Sequence, residues 1–323
     1  MRPNALLNLL NSVKLQELYP NEILIIDGST TNETYEILNV NIFENLSYYL
    51  VSNEQRGLTK QRNFGISKVS EATEIICFLD DDTILDKDYF KNLISTYTLY
   101  PDALGVGGYI KNETSWSISE NVEKIKINEF YFDGYKRSEG TRFVLRKKLG
   151  LDANQPPGFF PEFSHGRSIG FLPPSGKIYE VEQLMGGVSS FKKEIFLEFQ
   201  FSPYFEGYGL YEDADFTLRL SKKGKLFVNT NAQLQHFHDQ SGRPNKYVYG
   251  KMVVRNGWYV WRVKYPNPSL KATIKWHSII VLLIIIRLSN FFTTNKKREA
   301  ITETLGRFVG WLSLGFNKPK IVN

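Results

Sequence analysis

The sequence predicts an α/β fold, a mixed but mostly parallel sheet flanked by helices, and three observations predict it. The runs Ile23-Leu24-Ile25-Ile26 and Ile75-Ile76-Cys77-Phe78-Leu79 are apolar along their whole length, the pattern of strands covered on both faces. Strand-like and helix-like stretches alternate over the first hundred residues, as expected of an open sheet with helices on each side. Both apolar runs end in acid, Asp27 after the first and Asp80-Asp81-Asp82 after the second. Those are the carboxyl ends of strands, where open α/β sheets bind their ligands.

Taken in order, the elements follow from local pattern. Ala5-Leu6-Leu7-Asn8-Leu9-Leu10 reads as an amphipathic helix behind Met1-Arg2-Pro3-Asn4. It lacks the small-residue cleavage site of a secretory signal, so a cytoplasmic start is expected. The strand at 22–29 ends in the tight turn Asp27-Gly28-Ser29, a further strand is expected from Leu46 to Ser52, and a helix through Lys60-Gln61-Arg62-Asn63-Phe64-Gly65-Ile66. Residues 111–180 are rich in Gly, Pro and aromatics without a clear period and are expected to form a variable, substrate-facing insertion. Order resumes at Leu184-Met185-Gly186-Gly187-Val188, where the two glycines either let a backbone come close to a ligand or only shape a turn.

Composition limits the options. The chain has 323 residues, 42% hydrophobic and 23% charged, a globular profile that fits one main domain with appendages. A formal charge of +6 suits an anionic partner, whether phosphate, nucleic acid or an anionic membrane, without choosing among them. Cys77 is the single cysteine, so no intrachain disulfide and no cysteine-based zinc cluster can form, and a reducing compartment is expected.

Chemistry concentrates in two acidic clusters and one histidine pair. Three adjacent carboxylates at a strand end are costly unless neutralised, and two of them on a short turn can ligate Mg2+ or Mn2+, which in turn holds phosphates. The plainer alternative is a polar turn in which Asp82 or Asp86 caps a helix over Thr83–Phe90. The second cluster, Glu212-Asp213-Ala214-Asp215, opens a helix after a Gly-rich loop. The helix dipole alone explains acids there, yet an aspartate held at a pocket mouth can also accept a proton from a hydroxyl nucleophile. Ala232-Gln233-Leu234-Gln235-His236-Phe237-His238 alternates like a strand, placing both histidines on one face as candidate imidazole ligands.

The ordered set of these motifs resembles the nucleotide-sugar-dependent glycosyltransferases of family 2, with the GT-A fold. The matching stretches are Ile25-Ile26-Asp27-Gly28-Ser29, Gly57 through Ile66, Phe78-Leu79-Asp80-Asp81-Asp82, Gly186-Gly187 through Phe191, Gly209 through Leu220, and His236. They keep the family's order over roughly residues 1 to 240. The resemblance implies a catalytic domain over 1–240, with Asp27 at the nucleobase or ribose and with Arg62, Asn63, Asp80 and Asp81 toward the nucleotide. It implies that Asp80, Asp82 and His236 hold the metal, with His238 in reserve, and that Asp213 beside Glu212 is the catalytic base. The cofactor implied is Mg2+ or Mn2+, the donor a nucleoside-diphosphate sugar, the acceptor a glycan or lipid-linked glycan, and the stereochemistry inverting. Family members usually begin with a strand ahead of the Asn/Arg-Pro helix, whereas this chain starts at Met1-Arg2-Pro3 and is expected to lack it. That departure keeps a catalytically silent, membrane-associated scaffold as the alternative. A sugar nucleotidyltransferase would need a Gly-rich phosphate loop near the amino terminus, and none is found.

Residues 241–323 are expected to form a helical extension. Arg255-Asn256-Gly257-Trp258-Tyr259-Val260-Trp261-Arg262 mixes basic and aromatic residues without an RNA-binding signature, so nucleic acid is not expected. Trp276 through Ile286 is strongly apolar but is interrupted by Arg287, short of the ~20 residues a span needs. With Lys271, Lys275 and Lys296-Lys297-Arg298 as flanks, residues 271–298 fit peripheral contact with the inner face of the cell membrane, or a buried core helix.

Overall fold

The computed structural model describes residues 2–119, 125–237 and 244–321. His238 lies outside the described residues. The chain divides into two compact units, one made of Met1–Ser115 and Ile169–Gln240, the other of Trp116–Ser168 and Ser241–Asn323.

The first unit opens with α1 (Pro3–Lys14), whose Pro sits in the first turn where its missing N–H costs nothing and whose Leu6, Leu9, Leu10 and Val13 enter the core. Then follow β1 (Ile23–Asp27), α2 (Glu33–Val40), β2 (Leu46–Leu50), α3 (Leu58–Ile66), β3 (Ile75–Leu79), β4 (Thr83–Leu85), α4 (Tyr89–Leu99) and β5 (Ala103–Ile110). After the excursion through the second unit come β9 (Ile178–Val181), β10 (Val188–Lys192), α6 (Glu212–Leu220) and β11 (Lys225–His236). The sheet is mixed, as predicted, but it is not mostly parallel: in the six-stranded part only β5 and β11 pair in parallel, the other described pairings are antiparallel, and the sheet is split. β1 and β2 pair in parallel as a two-stranded sheet, while six strands run in the order β3, β10, β5, β11, β4, with β9 also on β11. Beside β1, the Ile26 carbonyl accepts a hydrogen bond from the Gln61 side chain of α3 at 2.9 Å.

The helix that the plainer alternative placed over Thr83–Phe90 does not start there. Thr83–Leu85 is β4, antiparallel to the end of β11, and α4 begins only at Tyr89. Asp82 therefore caps no helix. The β-branched pair Thr83-Ile84 suits the strand, and pairing Thr83 with His236 fixes the turn of aspartates against the last residue of β11. Beneath this layer, Leu10, Leu85, Leu93, Val106, Phe227 and Leu234 form a continuous buried core.

The second unit holds a small antiparallel sheet of β6 (Ser117–Ile118), β7 (Glu129–Phe132) and β8 (Tyr135–Ser138), then α5 (Thr141–Lys148) and three long helices, α7 (Lys246–Lys264), α8 (Leu270–Thr293) and α9 (Lys297–Ser313). Here the Trp261 and Trp276 rings stack 5.2 Å apart, and the Trp261 indole N–H donates to the Glu162 carbonyl. Gly250 and Gly306 let α7 and α9 approach so closely that a methyl group on either would meet the other helix's backbone.

Candidate active site

The site lies at the carboxyl end of β3, where Asp80, Asp81 and Asp82 turn the chain into β4. Asp80 is fixed through its backbone: its N–H donates to the Gly187 carbonyl at 3.1 Å, and its own carbonyl accepts from the Thr83 N–H and hydroxyl. Its side chain stays 44% exposed. Asp82 is buried, and His236 at the end of β11 places Nε2 3.2 Å from Asp82 Oδ1. One ligand atom from each of Asp80, Asp82 and His236 lies within 4.8 Å of the others, a spacing a single ion can bridge. Two hard carboxylate oxygens and one imidazole nitrogen suit Mn2+, and Mg2+ less closely, so the residues present fit the predicted cation.

Neighbouring side chains fix both the backbone and the ring of His236. Asn112 brackets its backbone, its side-chain amide donating to the His236 carbonyl and its Oδ1 accepting from the His236 N–H. Glu113 Oε1 sits 3.1 Å from Nδ1, which leaves Nε2 turned to the aspartates. A carboxylate behind a ligating histidine sets the ring's orientation and basicity. Hydrogen bonds with Asp82 and then Glu113 push the His236 pKa up to about 9, so the ring must give up a proton to serve as a ligand.

Two residues counter the acidic charge. Arg2 bridges Asp81 and Asp82, its Nη2 on Asp81 and its Nη1 on Asp82 Oδ2 at 2.9 Å. The Arg62 guanidinium is buried between the rings of Phe78 and Phe201, paired with Glu212 and 3.7 Å from Asp80. Burial pushes the Glu212 pKa up to about 8, with the Asp213 and Asp80 charges adding and Arg62 opposing.

The glycine pair lies in a turn closed by the Val188 N–H on the Met185 carbonyl, and it packs against the protein's own side chains. A methyl group on Gly187 would stand 2.6 Å from Asp80 Oδ1 and nearer still to the rest of that carboxyl. On Gly186 it would stand 2.6 Å from both Arg62 Nη1 and Glu212 Oε1. The Gly186 N–H donates to Asp213 Oδ2 at 3.2 Å, and the Ala214 N–H to Asp213 Oδ1. One glycine turn thus touches Asp213, the buried ion pair and a metal-ligand candidate. Asp213 lies in the first turn of α6, and burial raises its pKa against those two backbone bonds.

The remaining predicted residues stand differently. Asp27 is buried, with Oδ1 taken by the Ser29 N–H and hydroxyl and Oδ2 by the Tyr48 hydroxyl at 2.9 Å. Asn63 exchanges two hydrogen bonds with the Phe201 backbone, tying α3 to the loop before α6 instead of facing the aspartates. Arg2, Asn112 and Glu113 were not singled out in the sequence. Asn112 and Glu113 fall in an irregular stretch with no motif, and only pairing across the sheet brings them to His236.

Comparison with known proteins gives the same reading. Residues 1–150 match the family model Glycosyl transferase family 2. A stretch of 88 residues is 31% identical to the O-antigen chain rhamnosyltransferase RfbN of Salmonella typhimurium, spanning 27% of each chain, so the match covers about a quarter of that relative. Among solved structures, the mannosyltransferase PcManGT from Pyrobaculum calidifontis, in complex with GDP-Man and Mn2+, superposes with a TM-score of 0.50 at 12% identity, over 98% of this chain and 85% of that one. GalNAc-T7, solved with UDP, GalNAc and Mn2+, gives 0.48 at 15% identity over 77% and 45%. The superposition on PcManGT shows a fold of the GT-A type. The match to glycosyltransferase family 2 spans a little under half of the chain and includes the aspartate cluster and α3.

Proposed function

We propose that this enzyme is metal-dependent and inverting, moving a sugar from a nucleoside-diphosphate donor to a hydroxyl of a glycan or lipid-linked glycan acceptor in polysaccharide assembly. The observation that carries the reading is the convergence of Asp80, Asp82 and His236 on one ion-sized spacing next to an aspartate held by the Gly186 N–H. Asp80, Asp82 and His236 would hold Mn2+ or Mg2+, which when bound supplies positive charge for the donor diphosphate and its leaving group.

The chain's own residues supply the rest. Asp213 accepts the proton of the acceptor hydroxyl, and its raised pKa makes it a stronger base than an exposed aspartate. Two backbone N–H groups fix its direction, and the Arg62–Glu212 pair beneath it keeps the α6 terminus against the glycine turn. Attack from the face opposite the leaving diphosphate needs no covalent intermediate on the enzyme. Asp27 lies at the end of β1, where the family resemblance places the nucleoside, and is held by Tyr48 from β2. The enzyme works at the cytoplasmic face of a membrane, touching it peripherally through residues 271–298.

The test is nucleotide binding. Purified protein with Mn2+ binds a nucleoside diphosphate, and Asp82→Ala removes the metal-dependent part. Binding that ignores metal and survives Asp82→Ala overturns the reading.

A further inference from the structure

Helices α8 and α9 each bury one face and leave the opposite face apolar and exposed, the reverse of an ordinary surface helix. On α8, Ile274, Ile285, Leu288 and Phe292 are 58%, 57%, 48% and 81% exposed. Their spacing of eleven, three and four residues keeps them on one stripe along almost the whole helix. On α9, Ile301, Leu305, Phe308 and Leu312 are 39%, 52%, 43% and 48% exposed and repeat at four, three and four. The two helices are bound to each other away from these stripes. Glu303, 5% exposed, pairs with Arg287 at 2.8 Å and Arg307 at 2.7 Å, and the Trp311 indole donates to His277 Nδ1 at 3.0 Å.

Charge identifies the occupant. Residues 241–323 carry 15 of the chain's 40 Lys and Arg but 2 of its 34 Asp and Glu, a local charge of +13 against −7 for the rest. Lys296, Lys297 and Arg298 are exposed at the α8–α9 turn and, with Lys246 and with Glu299 3.7 Å from both Lys246 and Lys296, line a cavity of about 450 Å³ whose basic side chains outnumber its one acid. A surface of this charge repels a second copy of itself and attracts anionic lipid headgroups.

We propose that the paired outer faces of α8 and α9 form a docking surface for an anionic lipid bilayer, lying along the interface without crossing it. The proposal rests on the membrane part of the reading above and adds α9, the lipid charge and the depth. α8 is long and apolar enough to span, but its inner face is already used. Ala272, Trp276, Ile279 and Ile280 are buried in the unit, and Arg287 is held by Glu303. A span would have to strip that ion pair in hydrocarbon, whereas a stripe of apolar side chains needs only the headgroup boundary.

The experiment is co-sedimentation of the full chain with vesicles of phosphatidylcholine alone and of phosphatidylcholine mixed with phosphatidylglycerol, at low and high salt. Binding to the mixed vesicles, reversed by salt and absent on neutral ones, is expected. Lys296→Glu with Lys297→Glu and Arg298→Glu should weaken it about a hundredfold or more. Leu288→Glu with Phe292→Glu, both at exposed positions, should do the same, while helical circular dichroism and the melting curve of the full chain stay as in the wild type in both variants and report that the helices fold. No binding to anionic vesicles, equal binding to neutral vesicles that resists salt and carbonate, or a dimer broken by the Leu288/Phe292 variant would each overturn the proposal. If vesicle binding fails while donor turnover persists, the docking surface falls alone. If turnover fails while vesicle binding holds, the catalytic reading falls alone.

Discussion

Gly187→Ala should damage the metal site while sparing the fold. The Gly187 φ is not in the left-handed region, so alanine meets no backbone strain there. What it meets is the Asp80 carboxyl, with Oδ1 at 2.6 Å from the new methyl group. An ordinary contact needs about 3.5 Å, and Cγ and Oδ2 lie nearer the methyl group than Oδ1, so the carboxyl must move by more than about 1 Å. A site is productive only within about 0.5 Å of its geometry, so a shift of that size takes Asp80 out of reach of an ion shared with Asp82 and His236. Because the Asp80 side chain is 44% exposed, it can swing outward, and the cost to stability should stay below about 1 kcal/mol. Mn2+ affinity, read by calorimetry or by electron paramagnetic resonance of free Mn2+, should fall at least tenfold, with a melting temperature within a few degrees of the wild type. Gly187→Ala with unchanged Mn2+ affinity would refute the assignment of Asp80.

Glu113→Gln should weaken Mn2+ binding by about ten- to a hundredfold without touching a ligand, because Nδ1 of His236 loses its carboxylate, and the same Mn2+ titration checks this. Asn63→Ala should cost about 1–3 kcal/mol in a denaturant titration by orphaning the Phe201 backbone, yet leave nucleotide affinity alone; a loss of nucleotide affinity would restore Asn63 to the donor site. His165, in the second unit, has its pKa lowered to about 4 by burial and then by the nearby Arg146 and Arg142. A lowered histidine pKa adds stability above its ordinary 6.5 that is lost as pH falls toward 4. Melting temperature should therefore drop across that window and drop less in His165→Gln.

Much of the fold was legible because the sequence repeats its message. Ile23–Ile26 and Ile75–Leu79 are strands, Lys60–Ile66 lies in a helix, and Glu212 opens α6 as its acidic first turn suggests. His236 was legible as the end of an alternating strand. What local pattern could not supply was pairing across the sheet. Thr83–Leu85 looked like a helix start because Asp82 and Asp86 are good capping residues, and only the ladder to Leu234–His236 makes it a strand. Glu113 and Arg2 carry no motif and reach the site through contacts 123 and 80 residues away in sequence. Asn63 illustrates the reverse case, a motif residue whose amide is spent on the Phe201 backbone.

Asp213→Asn separates chemistry from binding most directly. Asparagine keeps the size and, through its one amide oxygen, one of the two hydrogen bonds from Gly186 and Ala214, but it cannot take a proton. With Mn2+ and a panel of nucleoside-diphosphate sugars, the variant should bind its donor within a few-fold of the wild type while release of nucleoside diphosphate falls by about 10²–10⁴. Turnover in Asp213→Asn equal to that of the wild type would contradict the assignment of Asp213 as the base, and with it the active site described here.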